Sequence, residues 1–73
     1  MYFLIETSGR TPHTDVSDHI KDYLEDTYGA TVETSVGMMD SPVTIYNGEG
    51  DTIAAFNDKP DDAVLNFYFG DFD

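Results

Sequence analysis

Five carboxylates share what reads as one face of a single helix. Asp15, Asp18, Asp22, Glu25 and Asp26 follow one another at intervals of three, four, three and one. At 100° per residue they fall within about 100° of arc, with apolar residues on the opposite side. Ionised carboxylates only accept hydrogen bonds. A row of them can pair with Arg and Lys in the way a row of phosphates does. The placement works against helix stability, because like charges at i, i+3 and i+4 repel by a few tenths of a kcal/mol per pair. Glu25 and Asp26 also lie at the helix end where the dipole disfavours negative charge. A bare solvated face remains the plain alternative for any one such helix.

Other groupings point less firmly to chemistry. Asn47, Glu49 and Asp51 alternate like oxygen donors of a calcium loop, but Thr52 stands where that loop requires Gly and Asp58 where it closes with Glu. A hairpin turn explains Asn47-Gly48-Glu49-Gly50 without a metal. Asp58, Asp61 and Asp62 could hold a divalent ion only loosely, and capping or solvation accounts for them, so no metal or other cofactor is expected. His13 and His19 are six apart and point in different directions on a helix. The chain has no Cys nucleophile, no Gly-x-Ser-x-Gly elbow and no phosphate-cradling glycine loop. An enzyme is therefore not expected.

Other acids widen the pattern. Glu33, Asp40, Glu49, Asp51, Asp58, Asp61, Asp62, Asp71 and Asp73 lie on strands and loops, and 15 acids stand against 3 bases for a formal charge of -12. With only Arg10, Lys21 and Lys59 as cations, direct nucleic-acid binding is disfavoured. A single-sign field instead steers a basic partner. Disorder is not implied, because 40% of the residues are hydrophobic and 14% aromatic, enough to build a core. No cysteine is present, which excludes disulfides. The start, Met1 to Glu6, is apolar but too short for a signal peptide and lacks a basic leader. No apolar run reaches membrane length. A cytoplasmic protein that spans no membrane is the expectation, either monomer or homodimer.

These residues need elements to hold them. The 73 residues allow one domain, 1–73. Tyr2 to Thr7 reads as a strand. Val16, Ile20, Tyr23, Leu24, Thr27 and Tyr28 recur at helical spacing and Gly29 is placed for a left-handed cap, which predicts a helix over 14–28 with Thr14 or Thr11 as cap. Thr31 to Val36 alternates with period two, Asp40-Ser41-Pro42 is a turn, and Val43 to Tyr46 and Thr52 to Phe56 are strands. The segment 63–69 fits either a short helix between Pro60 and Gly70 or a strand. The alternation of Leu65, Phe67 and Phe69 favours the strand. The expected fold is α+β, with one amphipathic helix on a mainly antiparallel sheet of four or five strands in the order β-α-β-β-β-β. Phe3, Ile5, Val32, Val36, Val43, Ile45, Leu65 and Phe67 would face the helix. Tyr2, Glu6, Glu33, Tyr46, Asn66 and Tyr68 would face water.

In size, charge and lack of cysteine, with the acids of 15–26 and the acid-rich loops, the chain resembles the small acidic inhibitors made by bacteriophages and mobile elements, the anti-CRISPR and anti-restriction proteins among them. The resemblance is one of composition and not of motif. It implies a stoichiometric inhibitor, a nucleic-acid mimic that occupies the basic DNA- or RNA-binding surface of a defence complex. The partner-binding residues would be Asp15, Asp18, Asp22, Glu25, Asp26, Glu33, Tyr46, Asp61 and Asp62. The alternative is a small binding or scaffold domain of a halophile, with a salt-adapted surface. Eleven Asp against four Glu and eight Thr suit that origin equally. A metal-tuned interaction module ranks third.

Overall fold

A computed structural model describes residues 1–9, 14–37 and 42–70. The elements are β1 (Tyr2–Thr7), α1 (Thr14–Tyr28), β2 (Thr31–Val36), β3 (Val43–Asn47), β4 (Thr52–Phe56) and α2 (Asp62–Phe69). They form an α+β fold with one four-stranded sheet in the order β2-β1-β3-β4. β1 and β2 run parallel, joined by α1. β3 pairs antiparallel with β1, and β4 with β3.

The local signals act where the sequence places them. Gly29 takes φ +64°, and its N–H donates to the Glu25 carbonyl at 2.9 Å, ending α1 in a left-handed cap. Asn47 builds the β3–β4 hairpin: its side-chain oxygen accepts from the Glu49 and Asp51 N–H groups, both at 2.9 Å, while Gly50 takes φ +88°. The Asn47 oxygen that a calcium loop would use is thus engaged in the turn. Ile45 pairs with Ala54 and Tyr46 with Thr52, so Ile53 is the extra residue of a bulge.

The core lies between the sheet and two helices on one face. Phe3, Ile5, Val32, Val43, Ile45, Ala54 and Phe56 meet Val16, Ile20 and Leu24 of α1 and Leu65 and Phe69 of α2. Phe3 and Phe69 touch edge to face, with ring centroids 5.5 Å apart.

Residues 62–69 are therefore helical, and the sheet has two helices over it where one was expected. Width explains this. A helix with its side chains is about 10–12 Å across, and strands lie about 4.8 Å apart, so one helix covers about two strands. α1 packs on β1 and β2 and leaves β3 and β4 bare, and α2 covers that half. Asp61 starts α2 as its cap, with its carboxylate accepting from the Val64 N–H at 2.9 Å.

Three residues change place as a result. Phe67 was expected in the core and is 78% exposed, because a 3.6-residue period puts Leu65 and Phe69 inward and Phe67 outward. Asn66 and Tyr68 belong to α2 and not to the open face of the sheet. Val36, also expected in the core, shares a strand face with buried Val32 yet is 66% exposed, at the far end of β2 where Val32 is the strand's one buried residue.

His13, Asp40, Ser41, Asp71 and Asp73 lie outside the described residues, as does the alternative helix start at Thr11 and Pro12. Among the described residues, no helix is long and apolar enough to cross a membrane.

Candidate protein-docking surface

α1 presents its carboxylates as the helical period requires. Val16, Ile20 and Leu24 are buried against the sheet, and Asp15, Asp18, Asp22, Glu25 and Asp26 are all exposed on the other side. No basic residue occupies the last turn. The stripe borders a seam between the two helices, where His19 of α1 approaches Asp62 of α2 (Nε2 to Oδ1, 3.8 Å). That distance is too long for a hydrogen bond, and the buried His19 Nε2 has no other partner among the described residues.

Two adjoining depressions open along this seam. One, of about 430 Å³, is lined by His19, Lys59, Pro60, Asp61 and Asp62. The other, of about 330 Å³, is lined by His19, Asp22, Tyr23, Asp26, Thr27 and Asp62. The structure thus brings Asp22 and Asp26 of the stripe together with Asp61 and Asp62. Asp61 does double duty, since one of its oxygens caps α2. Among the described residues, no group of three or more His, Asp or Glu is arranged to hold a metal ion.

Glu33 and Tyr46 are not part of this surface. Both neighbour Leu4 across the sheet, on the face opposite the helices. That open face carries Tyr2, Leu4, Glu6, Glu33, Thr44 and Tyr46, and no described element covers it. Tyr2 donates its hydroxyl to Glu33 Oε2 at 3.0 Å. The Tyr2 pKa is raised from its ordinary value near 10, first by this hydrogen bond, then by desolvation and by repulsion between phenolate and carboxylate.

A raised folded pKa means the pair contributes to folding below pH ~10, and the contribution is lost as pH rises through the higher folded value. In an absorbance titration of the tyrosines, Tyr2, identified by Tyr2→Phe, is expected to ionise above the ordinary range. Glu33→Ala should return it to normal. A Tyr2 midpoint unmoved by Glu33→Ala would remove the pair as the cause.

Sequence reasoning missed the exposed apolar side of α2, formed by Val64, Phe67 and Tyr68. The i, i+3, i+4 spacing of these three was the available signal, and the competing two-residue alternation of 65, 67 and 69 masked it. No family model matches this chain, and no curated protein and no solved structure matches it at a significant level.

Proposed function

We propose that the protein is a stoichiometric inhibitor that docks its helical layer on the basic nucleic-acid-binding surface of a protein or complex and blocks nucleic acid from binding there. One observation carries this reading: the five acids of α1 stand exposed, two of them, Asp22 and Asp26, share a seam with the acids that open α2, and the apolar side of α1 is engaged in the core. Folding gains nothing from that arrangement. Like charges at helical spacing repel, and Lys at the same positions would relieve them. A basic partner reverses the balance, because each carboxylate can accept a charge-assisted hydrogen bond from Arg or Lys. The role needs no catalytic group and no cofactor. Its place is the cytoplasm, where the targets of such an inhibitor bind nucleic acid. The anti-CRISPR-like class fits the same combination of size and charge.

The test is competition. A partner captured on the immobilised chain at low salt should be rich in Lys and Arg, should be displaced by duplex DNA or by RNA, and should be released steeply by salt, as screened exposed charges require. A captured partner that binds nucleic acid and the chain at the same time would overturn the proposal.

A second reading is favoured by the spread of acids beyond the helical layer, onto Glu6 and Glu33 of the open sheet face and Glu49, Asp51 and Asp58 of the loops. A halophile's scaffold domain would carry such an all-round surface. Melting in rising KCl separates the two. A mimic should gain stability only until its charges are screened, at a few tenths molar, whereas a salt-adapted domain should continue to gain into the molar range.

A further inference from the structure

The side of α2 turned away from the sheet is apolar. At 100° per residue, Leu65 and Phe69 point into the core and Phe67 lies about 180° from them. Phe67 is 78% exposed, Tyr68 40% and Val64 38%. The rings pack on one another and on the sheet. Tyr68 packs edge to face on Phe56 of β4, with centroids 5.4 Å apart, and Phe67 packs edge to face on Tyr68 at 5.3 Å. Folding does not explain Phe67, since Phe is a poorer helix former than Ala and this ring buries little. Rigid, exposed aromatics are what protein interfaces use as anchors.

We propose that Val64, Phe67 and Tyr68 form an apolar anchor that seats in an apolar pocket on the basic protein partner, while Asp61 beside the anchor and the acids of α1 across the helix seam pair with the partner's Lys and Arg. The inference rests on the reading of the acidic surface given above and adds to it a contact that no nucleic-acid phosphate could supply. Charge selects the occupant. A second copy of this chain would bring another formal charge of -12 against the first, with Asp61, whose carboxylate accepts from the Val64 N–H, beside the contact in both copies. A basic partner meets the same acids with opposite sign. The anchor and the charges have separable effects: apolar hot spots chiefly set the dissociation rate, and exposed charges set the association rate and its salt dependence.

Two synthetic helical peptides of equal positive charge serve as probes, one with Lys opposite a row of Leu, the other with Gln in place of every Leu. At 0.15 M salt the Lys/Leu peptide is expected to bind about tenfold or more tightly than the Lys/Gln peptide. Phe67→Ala should remove that preference, leave binding of the Lys/Gln peptide unchanged and leave the melting temperature unaltered. The double variant Asp18→Lys, Asp22→Lys should weaken both peptides alike. A wild-type chain without the preference, or a Phe67→Ala chain that keeps it, overturns the anchor and leaves the acidic-surface reading standing. Binding of both peptides unaffected by the double variant overturns the acidic-surface reading and the anchor with it. A dimer in sedimentation that Phe67→Ala dissociates assigns the patch to a second copy and overturns the proposal.

Discussion

Phe69→Ala is expected to bring the protein close to unfolding, while Phe67→Ala, two residues away, is expected to leave its stability unchanged. Phe69 is fully buried and packs edge to face on Phe3. Truncating such a ring removes its transfer free energy and leaves a cavity, about 3–5 kcal/mol together. A chain of 73 residues has roughly 4–11 kcal/mol of stability in all. The loss should lower the melting temperature by more than about 12 °C. Phe67 is mostly in water already, so its truncation should stay within about 0.5 kcal/mol, with Ala slightly favoured by helix propensity. Thermal melts followed by circular dichroism measure both. The contrast also tests the helix itself. On a strand, residues 65, 67 and 69 share one face, and both substitutions would then be damaging. Equal losses from the two variants would mean that α2 is not a helix in solution.

Reversing two charges of the stripe should move binding and stability in opposite directions. Asp18→Lys with Asp22→Lys changes the formal charge from -12 to -8, each reversal adding two. At a basic interface each position exchanges an attraction for a repulsion, about 1–2 kcal/mol apiece for exposed pairs, so affinity should fall about 100-fold. Its salt dependence should flatten as well. Within α1 the same changes replace repulsions of Asp18 with Asp15 and of Asp22 with Glu25 and Asp26 by attractions. The pair 18–22 stays repulsive, and a new repulsion with Lys21 offsets part of the gain. The net is about 1 kcal/mol in favour of folding, or roughly 4–8 °C in melting temperature. A variant that is more stable and still binds its partner normally would deprive the stripe of any role. One that loses both binding and stability would mean that the acids serve the fold.

Much of the positioning was legible from residue order. α1 runs over 14–28 as its apolar period indicated, because a 3.6-residue repeat followed by Gly29 leaves few alternatives. β1, β2, the β3–β4 hairpin and the inward residues Phe3, Ile5, Val32, Val43, Ile45 and Leu65 were legible for the same kind of reason. The candidate surface was legible only in part. The α1 stripe follows from spacing within one helix. That Asp61 and Asp62 adjoin it, while Glu33 and Tyr46 face the other way, depends on how the elements pack.

The sequence by itself determined the charge of -12, which is a sum over composition, and the acid face of α1, the inward residues of β1 and β3 and the β3–β4 turn, because each of these depends on residues within one or two helical turns of one another. Only the tertiary structure decided the state of residues 62–69. Their period-two and period-3.6 patterns compete locally, and what tips the balance is the half of the sheet, β3 and β4, that α1 is too narrow to cover. That same choice turned Phe67 from a core residue into an exposed one and placed it on the helix next to the acids.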